Sequence, residues 1–322
     1  MRERSMVPEP EFESYYGRQI IKTPTWKTPD VPLYLFLGGL AGGSAVLAEA
    51  AALAGNHRLE HLTRGVAAGG AGIGSVFLIH DLGRPMRFLN MLRVLKITSP
   101  LSVGSFILAP FATLSSAAMA SQVTGRLPRL GRLAGVGAAA FGPPLAAYTA
   151  ALFANTAVPI WHEGHRELPF VFVGSGSAAA GGLAMVLTSV ETSAPAFRMA
   201  VAGACLELAA MQTMETRLGM LAEPYHQGRS GRLMKLARAF TAGGLAVSAL
   251  GRRSRLLRAV AGVAYLAGSV TTRFGVFEAG LASARDPKYT VVPQRARLEA
   301  RKAGAAAEAA DHASHEQTPA TA

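Results

Sequence analysis

The sequence predicts an all-α integral membrane protein with eight transmembrane helices. Three observations carry this reading. Half of the 322 residues are apolar and only 16% are charged, where a soluble domain of this length carries about a quarter. Glycine is abundant, at 35 residues, and alanine more so, a bias that suits membrane helices packing through small side chains. The charges are segregated between apolar runs rather than spread with a helical period. An alanine-rich soluble helical protein, the plainer alternative, would show that period.

A membrane helix needs about 20 mainly apolar residues, because each adds about 1.5 Å against a core of about 30 Å. Eight segments meet this, at roughly 33–54, 62–80, 99–121, 133–156, 169–190, 196–215, 233–250 and 256–280. The seventh carries Lys235 and Arg238 in its first turns, where long basic side chains can snorkel to the interface. Residues 1–31 form a polar N-terminal tail without a short apolar h-region, so the first span is expected to be retained. The spans divide into expected units at 32–156 and 157–282, followed by a polar C-terminal tail at 283–322. Beyond Pro293 that tail is rich in Ala, Glu and Arg and is expected to be disordered or a frayed surface helix.

Eight spans put both termini on one side, here called side A, with loops 81–98, 157–168 and 216–232. Side B holds 55–61, 122–132, 191–195 and 251–255. Arginines 126, 129, 132, 252, 253 and 255 mark two side B loops that lack an acid. The positive-inside rule then makes side B cytoplasmic and the termini extracytoplasmic, although the side A loops hold as many basic residues. The chain also repeats itself weakly. "YLFLGG" at Tyr34–Gly39 resembles "FVFVGS" at Phe170–Ser175, an offset of 136, and the same offset carries Leu82-Gly83 onto Leu218-Gly219. Two four-helix bundles in one orientation would follow, with an interface that can hold a site. Chance likeness between Gly/Ala-rich helices is the alternative.

Cys205 is the sole cysteine, which excludes an internal disulfide and iron–sulfur ligation within the chain. The eight histidines lie in loops, tails or at a helix end, so haem between membrane helices is not expected. His162 and His165 form an H-x-x-H pair, which reads more readily as an interfacial polar loop than as a metal site lacking a third ligand. No Gly-rich phosphate loop follows a strand, and no nucleic-acid partner is expected. Glu49, Glu191, Glu207 and Glu215 lie within or at the ends of apolar spans. A carboxylate at membrane depth is expensive, so each either handles protons or makes a structural hydrogen bond.

Side A gathers the titratable and aromatic groups. Its loops offer His80, Asp81, Arg84 and Asn90, then Trp161, His162, Glu163 and His165, then Glu223, Tyr225 and His226, while helix four brings Tyr148 and Asn155. Side A is therefore the working face. It suits a partner-docking surface, or an amphipathic ligand whose head is hydrogen-bonded and whose tail lies in lipid.

Three stretches carry a family likeness: "PLYLFLGGLAGGSAVL", "DLGRPMRFLNMLRVLKITSPLSVGSF" and "YTAALFANTAVPIWHEGHRELPFVFVGS". Together they resemble the NrfD-like family, the membrane subunits of polysulfide reductase and related molybdenum-enzyme complexes, over roughly residues 15–280. The resemblance implies two four-helix bundles in the cytoplasmic membrane of a prokaryote. It implies a quinone/quinol site beneath a ferredoxin-like iron–sulfur subunit, docked on loops 81–98, 157–168 and 216–232. That subunit would relay electrons to or from a molybdopterin catalytic subunit acting on formate, polysulfide, thiosulfate or nitrite. The membrane chain would carry no haem or cluster and would not itself turn over the terminal substrate.

By position in the matching stretches, Tyr148 and His162 are expected to bind the quinone head, with Trp161 packed at the membrane interface and Tyr34 beside them. Asp81 and Glu163 would accept protons, with Glu207 and Glu191 as further proton-transfer candidates. Arg84 would orient Asp81 or another carboxylate. Family members place polar side chains near the start of helix one, where this chain offers Tyr34 and then Gly and Ala, so His80 or Asn155 takes that role. A proton- or solute-translocating module and a pure anchor without a quinone site are the alternatives.

Overall fold

A computed structural model describes residues 20–251 and 253–316, with side chains to residue 305. Among the described residues, eight helices are long and apolar enough to cross a membrane. They are α1 (Asp30–Leu53), α2 (His57–Asp81), α3 (Pro100–Thr124), α4 (Pro128–Ala154), α5 (Leu168–Leu187), α6 (Ala194–Leu218), α7 (Gly228–Leu250) and α8 (Arg255–Arg285). Short helices occupy Arg87–Met91, Pro159–Glu163, Gly164–Arg166 and Gly219–Tyr225, and α9 spans Lys288–Glu316. Among the described residues there is no strand.

The ends follow local chemistry. Asn56 caps α2 by accepting from the Leu59 N–H at 3.2 Å, which starts the helix five residues before its apolar run. Proline sits in the first turn of α3, α4, α5 and α6, where its missing N–H costs nothing. Gly83 and Gly219 hold positive φ, at 69° and 53°, a conformation open to glycine. Each turns the chain just beyond an even-numbered span.

Within the first four helices, α1 packs on α2 and α4, and α3 packs on α2 and α4. The second four repeat this, with α5 on α6 and α8, and α7 on α6 and α8. The halves meet along α1 and α5, flanked by α4 on α5 and α1 on α8. Glycine makes the close approaches. A Cβ on Gly42 would lie 2.4 Å from the Gly142 carbonyl oxygen between α1 and α4, and one on Gly262 would lie 2.4 Å from the Gly182 oxygen between α8 and α5. Without a hydrophobic drive between helices in lipid, such backbone contact supplies the packing.

At the seam, α1 and α5 meet at equivalent levels of the two halves. A Cβ on Gly176 would stand 2.8 Å from the oxygen of Gly39, whose own counterpart is the adjacent Ser175. The Asn56 amide in the α1–α2 turn donates to the Thr192 carbonyl in the α5–α6 turn at 2.7 Å, across 136 residues. The weak sequence repeat thus has a spatial expression.

The C-terminal tail is helical rather than disordered where it is described. Its first turns are tied to the body, with Lys288 on Glu223 at 2.6 Å and Arg297 on Glu163 at 3.3 Å. Residues 1–19 of the N-terminal tail lie outside the described residues.

Candidate functional site

Asp30 opens α1 and His80 closes α2, which brings them together at the A end. The His80 Nδ1–H donates to Asp30 Oδ2 at 2.7 Å. Asp30 is buried, whereas the imidazole is 70% exposed. A carboxylate on Nδ1 fixes the tautomer and leaves Nε2 as the free ring nitrogen.

One turn further into α1 lies Tyr34, on the same face as Asp30 because four residues separate them. Its phenol lies close to that of Tyr148 on α4. Both rings are buried, at 2% and 6% exposed. Gly104 on α3 makes room for Tyr148: a Cβ there would stand 1.7 Å from the ring. Three helices thus supply two phenols, a carboxylate and an imidazole around one end of the first half.

Asp81 accepts at Oδ1 from the Lys27 backbone N–H at 2.9 Å, and the Lys27 ammonium donates to the His80 carbonyl at 3.3 Å. The acid of the Asp-Leu-Gly-Arg-Pro stretch therefore holds the segment leading into α1. The expected Arg84–Asp81 pair is not formed. The turn at Gly83 sends Arg84 outward, exposed and without an ion pair among the described residues.

The Trp-His-Glu stretch divides. Trp161 is fully buried and donates from Nε1 to the Val276 carbonyl at 2.8 Å. It stacks on Phe153 with ring centroids 4.3 Å apart, and Trp26 stacks on both. Trp161 is thus core between the halves rather than an interfacial wall, because the short helix Pro159–Glu163 folds it inward. His162 is exposed and donates from Nδ1 to the Ala154 carbonyl at 3.1 Å. Tyr148 lies six residues before Ala154, about 9 Å down the axis of α4, so the two expected head-binding residues stand at different depths. Asn155 is exposed at the end of α4.

His162 and Glu163 line an open cavity of about 330 Å³ together with Ile20, Leu221, Tyr289 and Arg297. Tyr289 donates to Glu223 at 3.2 Å, and burial with that carboxylate pushes its phenol up to about 12. Tyr289 is thus a hydrogen-bond donor at any physiological pH.

The equivalent end of the second half is built differently. Glu167 precedes α5 and Arg217 lies near the end of α6. The guanidinium meets the carboxylate twice, at 2.7 and 2.6 Å, and donates to the Glu163 carbonyl at 2.5 Å. Through that hydrogen bond Arg217 holds the Glu167 carboxyl below the usual carboxylate range.

Carboxylates within the spans have partners. Glu207 on α6 accepts from Thr272 at 2.6 Å and Thr241 at 3.4 Å. Near it Arg273 on α8, fully buried, donates to the Phe172 and Leu35 carbonyls at 2.9 and 3.4 Å. Glu215 accepts from Arg238, with His226 Nε2 at 3.5 Å. Glu49, toward side B, accepts from Arg64 at 2.8 Å. Glu191 is exposed in the α5–α6 turn at the opposite end from His162.

Sequence reading missed Asp30, Arg273, Tyr289 and the Glu167–Arg217 pair. Arg273 had a visible signal, a cation deep inside the last apolar run. Asp30 had none, since it merges with the polar tail before it.

Among the described residues, eight helices long and apolar enough to cross a membrane, with titratable side chains gathered at one end, define an integral membrane protein. The chain belongs to the NrfD family, described as polysulphide reductase, whose model matches residues 21–248, well over half its length. Among curated proteins no match was found. Arg273, Tyr289 and Arg297 fall beyond the matched residues.

Proposed function

We propose that this membrane subunit of a polysulfide-reductase-like complex oxidises or reduces quinone at the A end of its first half. Electrons would pass to an iron–sulfur partner docked on that face, and through it to a molybdopterin catalytic subunit. The observation that carries the reading is the Tyr34–Tyr148 phenol pair beside the Asp30–His80 pair.

A quinol supplies two electrons and two protons on oxidation. The phenols supply what its head needs: buried donors for oxygens that carry negative charge when reduced. Proton transfer needs an acceptor within hydrogen-bond reach. His80 offers Nε2, held in that tautomer by Asp30, on an exposed ring that exchanges with water. Buried donors beside an exposed base are what a quinone head at the membrane surface requires. The protein supplies position and electrostatics while the bound groups carry the redox chemistry.

The test uses the complex purified with its partner subunits and a soluble quinol analogue. Tyr148→Phe lowers turnover while assembly and terminal-substrate activity with an artificial electron donor are retained. Equal quinol kinetics in Tyr148→Phe and the parent, with His162→Ala impaired, moves the head to the cavity lined by His162 and Glu163.

A second reading, a proton-translocating module, is favoured by Glu207 and Arg273, buried among the hydroxyls of the second half. Proton uptake by vesicles that follows quinol oxidation and is lost in Glu207→Gln, with electron transfer intact, supports it.

A further inference from the structure

We propose that the α2–α3 connection, residues 82–99, lies in the headgroup layer and binds anionic phospholipid. It carries Arg84, Arg87, Arg93 and Lys96 and no acid between residues 84 and 99. All four cations are exposed and none makes an ion pair among the described residues. By contrast Arg217, Arg238, Lys288 and Arg297, at the same end, each face a carboxylate.

Large apolar side chains are exposed between these cations. Met86 is 71% exposed, Val94 71% and Ile97 81%. The segment is not loose. Ser102 on α3 donates to the Val94 carbonyl and accepts from the Lys96 N–H, while Ser105 donates to the Met91 carbonyl. Phe88 packs against the core. The backbone is thus pinned to α3, with apolar and basic side chains held outward together.

Position decides between lipid and protein as the occupant. The segment joins α2 and α3, the two helices of the first half with least contact to the second half. The outer face of α2 exposes Ile73 and Val76, as a lipid-facing helix does. A basic, apolar segment directly between two spans meets acyl chains with one set of side chains and lipid phosphates with the other. Charge complementarity therefore points to the anionic bilayer surface, and leaves the A end nearer the seam to the protein partner.

The experiment uses the full complex in nanodiscs of phosphatidylcholine with or without phosphatidylglycerol. A nitroxide placed by Ile97→Cys, in a Cys205→Ser background, reports depth. Relaxation by oxygen exceeding that by a water-soluble nickel chelate supports the proposal. Nickel access in both lipid mixtures overturns it, as does protection from both agents that appears only when the partner subunits are bound. Independently, Arg84→Gln, Arg87→Gln, Arg93→Gln and Lys96→Gln together reduce phosphatidylglycerol retained after exchange into phosphatidylcholine. Each cation near the surface contributes about fivefold in affinity. Unchanged retention in that quadruple variant overturns it as well.

Discussion

Asp30 with His80 and Glu167 with Arg217 stand at matching places in the two halves. Each pair joins the start of an odd-numbered helix to the end of the next, and each spans 50 residues. The second pair is a permanent, two-pronged ion pair whose guanidinium also binds a backbone carbonyl. The first has an imidazole where the second has a guanidinium, so it can gain and lose a proton. Tyr34 and Tyr148 then lie beneath the changeable pair. The repeated framework thus contains its own control: the same joint is a two-pronged ion pair in one half and a carboxylate–imidazole pair in the other.

The largest expected effect comes from removing both hydroxyls under the changeable pair. Tyr34→Phe with Tyr148→Phe lowers quinol turnover by about 100-fold, near 2.7 kcal/mol of barrier, in stopped-flow assays of the purified complex. Loss below threefold breaks the link between the phenols and the reaction.

Making the first pair resemble the second is the next test. His80→Arg keeps the bond to Asp30 but removes the basic nitrogen, and lowers turnover by about tenfold with assembly preserved. Full activity in His80→Arg means that the proton leaves by another route.

Weakening the two-pronged ion pair affects stability instead of turnover. Glu167→Gln costs about 1–2 kcal/mol, allowing for the partly exposed guanidinium. Folding lowers the Glu167 carboxyl, so its stabilisation is complete above the usual carboxylate range and is lost as pH falls through the lowered value. Thermal unfolding in detergent across the acid range is therefore less pH-dependent in Glu167→Gln. An identical acid limb in both proteins assigns that limb to other groups.

The smallest effect is expected from Arg217→His, which gives the second half the first half's chemistry without its phenols. Quinol turnover stays within about twofold, and stability falls by under about 1 kcal/mol. A tenfold loss of turnover would place a working group in the second half.

Much of the fold was legible because lipid imposes simple rules. All eight spans follow from apolar length, and α7 forms despite Lys235, which is exposed in its first turns, and Arg238, which is paired with Glu215. The ends were less legible. α2 begins at His57 because Asn56 caps a polar turn that hydropathy does not count, and α8 runs to Arg285, past the apolar run predicted to 280. The site was legible in part. Tyr34, Tyr148 and His80 were expected at the A end and lie there, but nothing in the sequence showed that Asp30 joins them, since the pairing depends on where two helices end. Trp161 was read as interfacial from its position in the family-like stretch, and only the inward turn of the Pro159 helix reveals it as core.

The seam, where α1 packs on α5 and Asn56 meets Thr192, its counterpart 136 residues on, resembles an isologous dimer, in which a patch is complementary to itself. In a true dimer every substitution arrives twice, so neither copy can keep an imidazole while the other gains a guanidinium. Joining both copies in one chain removes that constraint. The single polypeptide is what permits His80 and Arg217 to differ at the same joint.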